Sequence, residues 1–224
     1  MQEHDLSFDT DEEVVESIKR WWEENGTSVI VGIVLVLAVF FGSRFWESSR
    51  NAYAEAASEV YLRLVDNIRA DTDLEVSDEE LDAARVLHNQ LREEFDNSVY
   101  SRFSALMMAR LHVQRNELDS AAAELRWVLD NPGLGFLRSI NEELELTARS
   151  RLARVVLAQG DAQAALDLLG EVEPGAFAGN FAEIEGDAYV TLGRMEEARE
   201  AYQSALDMGV NPEIVELKLG DIGS

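Results

Sequence analysis

The chain has 224 residues, no cysteine, and 44 acidic against 19 basic residues, for a formal net charge of −25. Without cysteine there is no disulfide framework, thiolate nucleophile or cysteine metal site. So negative a composition also speaks against binding to nucleic acid and against broad docking on anionic lipid, both of which need clusters of Lys and Arg.

In chain order, Met1 to Glu16 is rich in Asp and Glu and poor in apolar residues, which predicts a disordered start. From Asp11 a short amphipathic helix is expected, with Asp11, Glu12 and Glu13 favouring its N-terminus and Val14, Val15 and Ile18 on one face. It is expected to stop near Asn25-Gly26, a helix-ending pair. Residues 1–25 thus form a tail. From Val29 to Phe41 nothing is charged, and counted from Gly26 to Phe45 the apolar run reaches about 20 residues, or about 30 Å of helix, the thickness of a bilayer's hydrocarbon. Trp21 and Trp22 precede the run and Phe45 and Trp46 follow it, placing aromatic rings at both membrane interfaces. A cleaved signal peptide needs small residues at its cut, and Phe40-Phe41-Gly42-Ser43-Arg44-Phe45-Trp46 offers none without a bulky or charged neighbour. Residues 26–46 are therefore expected to be a single uncleaved transmembrane helix. Lys19 and Arg20 before it and Arg44 and Arg50 after it nearly balance, so charge does not fix its orientation.

Residues 47–224 make the remaining domain. Ala52, Ala56, Val60, Leu64 and Ile68 recur every four residues, a helical period. An acidic loop around Asp71-Thr72-Asp73 follows, then a capping box of Ser77 with Glu80, then a helix carrying Leu81, Ala84, Leu87, Leu91 and Phe95. No stretch alternates strictly as a strand does, so the fold class is all-α.

The second half repeats itself. Three copies share one set of offsets: a small residue (Ala109, Ala153, Gly186), a large one three on (His112, Val156, Tyr189), a turn residue at seven (Asn116, Gly160, Gly193), Ala at twelve (Ala121, Ala165, Ala198) and a bulky one at sixteen (Leu125, Leu169, Tyr202). The pattern resembles the tetratricopeptide repeat, a helix–turn–helix unit of about 34 residues. The small residues admit close helix approach, and Gly or Asn suits a left-handed turn. About ten extra residues around Asn131-Pro132-Gly133-Leu134-Gly135 are expected to form a lengthened loop. The whole is expected to be a transmembrane helix followed by a tetratricopeptide-like α-solenoid.

There is no phosphate-binding loop, nucleophile elbow or His-Glu-x-x-His metal pair, and the three histidines, His4, His88 and His112, lie far apart in sequence. No catalytic, cofactor or metal site is expected, and His112 falls at a packing position of the repeat. Solenoids instead offer a groove for peptides. By register the first helices present Leu106, Arg110 and Val113, then Ser150, Arg154 and Leu157, then Glu183, Asp187 and Val190. Arg110 and Arg154 are equivalent positions of neighbouring repeats. They are placed either to capture a carboxylate or carbonyl of a client, or to neutralise neighbouring Glu within the solenoid.

Two segments carry a family resemblance. Ile18-Lys19-Arg20-Trp21-Trp22 with Glu24-Asn25-Gly26 before the anchor, and Gly42-Ser43-Arg44-Phe45-Trp46 leading into Ala56-Ala57-Ser58-Glu59-Val60-Tyr61 after it, resemble the YfgM family of ancillary SecYEG translocon subunits. The resemblance covers nearly the whole chain. It implies a cytoplasmic N-terminus, one inner-membrane span and a periplasmic repeat domain. It also implies SecYEG and a membrane-anchored periplasmic chaperone of the PpiD kind as partners, and unfolded envelope proteins as clients. The function it implies is that of a non-catalytic tethered adaptor or chaperone. The alternative on the same plan is an anchored scaffold for another envelope assembly, such as cytochrome-c maturation.

Overall fold

A computed structural model describes residues 8–69, 76–133 and 138–222. The described residues are helical, with no strand among them, and they divide into two compact units, residues 1–53 and 54–224. The expected acidic loop around Asp71-Thr72-Asp73 lies outside the described residues.

The first unit is built from α1 (Phe8–Arg69), which also supplies the opening helix of the second unit. This helix holds a stretch long and apolar enough to cross a membrane, with a mean hydropathy of 2.3 over a window that is only 6% buried. The expected stop at Asn25-Gly26 does not occur. Asn25 Nδ2 donates to the Trp21 carbonyl at 3.0 Å, one turn back, and a side chain on Gly26 would come within 3.2 Å of the Trp22 indole. A break there would orphan four N–H and four C=O groups beside an apolar run. Keeping a helical glycine costs only about 1 kcal/mol, so the helix continues.

In the second unit the end of α1 packs on α2 (Asp78–Glu94) and α3 (Val99–Gln114) through Ala57, Val60, Leu64, Leu81, Ala84, Met108 and Leu111. The buried stripe of α1 starts at Ala57; Ala52 is exposed. The capping box forms: Glu80 N–H donates to Ser77 Oγ at 3.3 Å, and the Ser77 N–H donates to the Glu80 carboxylate at 2.8 Å. The Ser77 hydroxyl, which donates to the same carboxylate at 2.7 Å, and then that backbone bond hold the Glu80 carboxyl below its ordinary pKa.

Three helical hairpins follow: α3 with α4 (Leu118–Asp130), α5 (Arg138–Ala158) with α6 (Ala162–Gly170), and α7 (Ala178–Thr191) with α8 (Met195–Asp207). A closing helix, α9 (Pro212–Ile222), packs on α8. The turn residues Asn116, Gly160 and Gly193 are left-handed, with φ of 59°, 93° and 73°. Each is followed by an N–H that bonds back to the large residue of the repeat: Glu117 to the His112 carbonyl, Asp161 to Val156, and Arg194 to Tyr189, at 2.8 to 3.1 Å. This is one helix-ending motif used three times, satisfying carbonyls that the helix end would orphan. Part of the residues expected to lengthen a loop instead lengthen a helix, since α5 has 21 residues against 14 in α7. Asn131 and Gly133, just after α4, lie against Arg102, which is fully buried on α3. Its Nη1 donates to the Asn131 carbonyl at 3.4 Å, and a side chain on left-handed Gly133 would overlap the guanidinium.

Within each hairpin the small and the bulky residue meet. Ala109 with Leu125, and Ala153 with Leu169, are buried partners in shared clusters. In the third, Gly186 lies so close to the Tyr202 ring that a Cβ would overlap it. Overpacking costs about 1–3 kcal/mol and the helix propensity of Ala returns about 1. Gly186→Ala is therefore expected to lower the unfolding free energy by up to about 2 kcal/mol in denaturant titration. In a Tyr202→Leu background, which restores the alanine–leucine pairing of the other hairpins, the same change is expected to cost nothing.

His88, on α2, is 3% exposed; its Nδ1 lies 2.9 Å from Ser104 Oγ and its Nε2 3.1 Å from a Glu124 carboxylate oxygen on α4. Burial raises the Glu124 pKa, but the His88 contact and the charges of His88, Arg92 and His112 outweigh it, leaving the carboxyl below its ordinary value. A carboxylate whose folded pKa is depressed stabilises above its unfolded pKa, near 4.3, and that contribution is lost as pH falls through the depressed value. Glu124→Gln is expected to destabilise the fold at pH 7 and to narrow its gap from the unchanged protein as pH falls below about 4, measured as melting temperature against pH.

Candidate functional site

The face made by the first helices of the hairpins, α3, α5 and α7, and continued by α9, is the natural place for a partner segment, and its charges are not evenly arranged. At the α9 end they pair off. Lys218 on α9 donates to Glu183 and to Asp187 on α7, each at 2.8 Å, and Arg154 on α5 reaches the other side of Glu183 at 3.3 Å. Glu183 is 6% exposed, so an acid taken from water is held between two cations. Tyr202 Oη donates to Asp187 at 2.7 Å, and burial, then that bond, push the tyrosine pKa well up. Val190 packs in one cluster with Leu219 and Ile222 of α9. The third hairpin's expected groove positions, Glu183, Asp187 and Val190, are thus taken up by the chain's own last helix.

The middle of the face is shifted from the expected register. Ser150 is buried and Leu157 half-buried, while Arg154 is exposed and ion-paired to Glu183. Val113 is exposed. Leu106 and Arg110 do line a cavity of about 420 Å³, shared with Phe103 and Met107 on α3, Thr147 and Arg151 on α5, and Tyr61 on α1. On α3 the expected Leu106 and Arg110 face the cavity together with Phe103 and Met107, whereas on α5 Thr147 and Arg151 face it in place of the expected Ser150, Arg154 and Leu157. Arg151 was missed for that reason, although it stands three residues before Arg154 and so shares its side of the helix. Tyr61 and Phe103 are missed differently: their ring centroids lie 6.0 Å apart across two helices far apart in sequence.

Arg110 and Arg151 contrast with the other cations of this face. Neither makes an ion pair among the described residues, though Glu143 lines the same cavity. Burial, and then the like charges of Arg110 and Arg154, hold the Arg151 pKa below the ordinary arginine value. His112, at its expected packing position, is buried, and its Nδ1 lies 2.6 Å from Glu117, on the far side of the hairpin turn. Among the described residues no group of three His, Asp or Glu is placed to hold a metal ion.

The description "tetratricopeptide repeat-like domain" matches residues 19–224. The chain is 27% identical over 218 residues to the ancillary SecYEG translocon subunit of Escherichia coli (strain K12), an alignment spanning 96% of this chain and 98% of that protein. It is 24% identical over 214 residues to the ancillary SecYEG translocon subunit of Haemophilus influenzae, with 95% and 97% of the two chains covered. The protein of the same name from Neisseria gonorrhoeae is 22% identical over 216 residues, again covering 95% and 97%. No solved structure matches the chain.

Lys218 is the one link from α9 to the acids of α7 that is charged. Removing one partner from a largely buried pair is costly, and Arg154 remains to offset part of the loss. Lys218→Met is expected to lower stability by about 1–2 kcal/mol and to speed amide hydrogen exchange in α9 ahead of the other helices.

Proposed function

Because the chain belongs to the tetratricopeptide repeat-like domain family over residues 19–224, we propose that it is a non-catalytic adaptor tethered by one inner-membrane helix at the Sec translocon. The observation that carries this is the end-to-end similarity to ancillary SecYEG translocon subunits, which includes the apolar stretch of α1 as well as the repeats. In this proposal residues 1–25 are a cytoplasmic tail, 26–46 the span, and 47–224 a periplasmic domain, with Trp21, Trp22, Phe45 and Trp46 at the two interfaces. All four of these aromatics are exposed on α1, as rings bound for a headgroup layer must be.

The span confines the domain to the membrane surface and so raises its effective concentration near the translocon exit. There the repeat face takes up segments of newly translocated envelope proteins, or of a membrane-anchored chaperone of the PpiD kind, by weak and reversible contacts. A face built of stacked helices of this kind suits the binding of a peptide segment.

The test is purification of the full-length protein in mild detergent after in-membrane photocrosslinking from positions 46, 110 and 154. Crosslinks to translocon subunits or to a periplasmic chaperone are the expected result. Crosslinks to one other envelope complex, with no translocon contact from any position, would overturn the proposal and leave an anchored scaffold in its place.

A further inference from the structure

Along the face of first helices the charges run in an order. From α9 inward they read Lys218, then Glu183 and Asp187, then Arg154, each cation meeting an anion. The next two charges, Arg151 and Arg110, are again positive, and here the alternation fails. In a chain with 44 acidic residues against 19 basic ones, these two neighbouring guanidinium groups make no ion pair among the described residues, although Glu143 lines the same cavity. Several surface arginines do find a carboxylate, Arg85 with Asp82, Arg194 with Glu197 and Arg199 with Glu196, and the isolated exposed Arg63 and Arg126 do not among the described residues; Arg110 and Arg151 differ from both groups in sharing one cavity. The place where an anion belongs opens on a cavity of about 420 Å³ whose walls are Tyr61, Phe103, Leu106 and Met107. That volume holds one or two side chains.

We infer that this cavity is a docking site for an extended polypeptide segment in which an Asp or Glu side chain sits beside a bulky apolar residue. The carboxylate lies between Arg110 and Arg151, and the apolar side chain enters among Phe103, Leu106 and Met107. Two guanidiniums and the Glu143 carboxylate leave the cavity with one net positive charge, which suits a single carboxylate better than a phosphate dianion. Glu143 and the Thr147 hydroxyl add acceptors for backbone N–H groups, which an inorganic anion would leave unused. The inference rests on the protein-binding part of the proposed function and not on the attachment to the translocon.

Full-length protein in lipid nanodiscs is titrated into an end-capped, fluorescein-labelled peptide of sequence Gly-Ser-Phe-Glu-Leu-Ser-Gly, and anisotropy is read at low and at physiological salt. Saturable binding is expected, weaker by about tenfold or more when the peptide's Glu is replaced by Gln, and by a similar factor in Arg110→Gln and in Arg151→Gln. Arg126→Gln, on the exposed side of α4, is expected to change nothing, and circular dichroism checks that all variants are folded. Equal binding of the Glu and Gln peptides, or indifference to Arg110→Gln with Arg151→Gln together, overturns the inference. So does arginine-dependent binding to phosphatidylglycerol vesicles with none to the peptide. Translocon co-purification is measured on the same samples. Co-purification without peptide binding defeats the docking site alone, and peptide binding without co-purification defeats the adaptor proposal alone.

Discussion

Two helices can lie side by side at close range only where one of them gives up volume, and the domain is built from that exchange made three times. A small residue on the first helix of each hairpin receives a large one from the second: Ala109 and Leu125, Ala153 and Leu169, Gly186 and Tyr202. The left-handed residue between the helices sets the angle at which they return, and its following N–H closes the first helix on the same carbonyl each time. With spacing and turn fixed, the first helices fall in a row, and their remaining sides make one face.

What that face can do follows from where its charges are spent. At the α9 end Lys218, Glu183, Asp187 and Arg154 neutralise one another, and the closing helix lies over positions that an open solenoid would offer to a partner. Arg110 and Arg151, near the first and second hairpins, make no ion pair among the described residues and stand beside aromatic and aliphatic walls. The net negative charge of the chain repels acidic segments in general, so two guanidiniums that share a cavity favour a carboxylate-bearing partner at this place.

The sequence pattern reached most of this architecture. The repeat offsets predicted the turns, the buried alanines and the helix pairs, since each depends on residue size or backbone freedom within about 30 residues. It placed the start of α2, because a capping box is a local hydrogen-bond exchange between Ser77 and Glu80. It was misleading at Asn25-Gly26, where local propensity favours an end but an uninterrupted helix keeps every backbone group paired. It also misplaced the α5 side of the expected groove, where Thr147 and Arg151 face the cavity in place of Ser150 and Arg154. A helix's facing side is set by how it leans on its neighbours, and α5 is longer than the repeat period allows for.

By itself, then, the amino-acid order determined an apolar span, an all-helical domain and the hairpin unit, all of which rest on interactions between residues a few turns apart. Only the tertiary structure decided which charges meet. Whether Arg154 serves the fold or a partner depends on Glu183, 29 residues away, and whether Glu183 is free depends on Lys218, a further 35 residues on. The availability of Arg110 and Arg151 is likewise a matter of what the packed helices do not bring near them. Ion pairs of this kind form across space between helices, and no period in the chain encodes them.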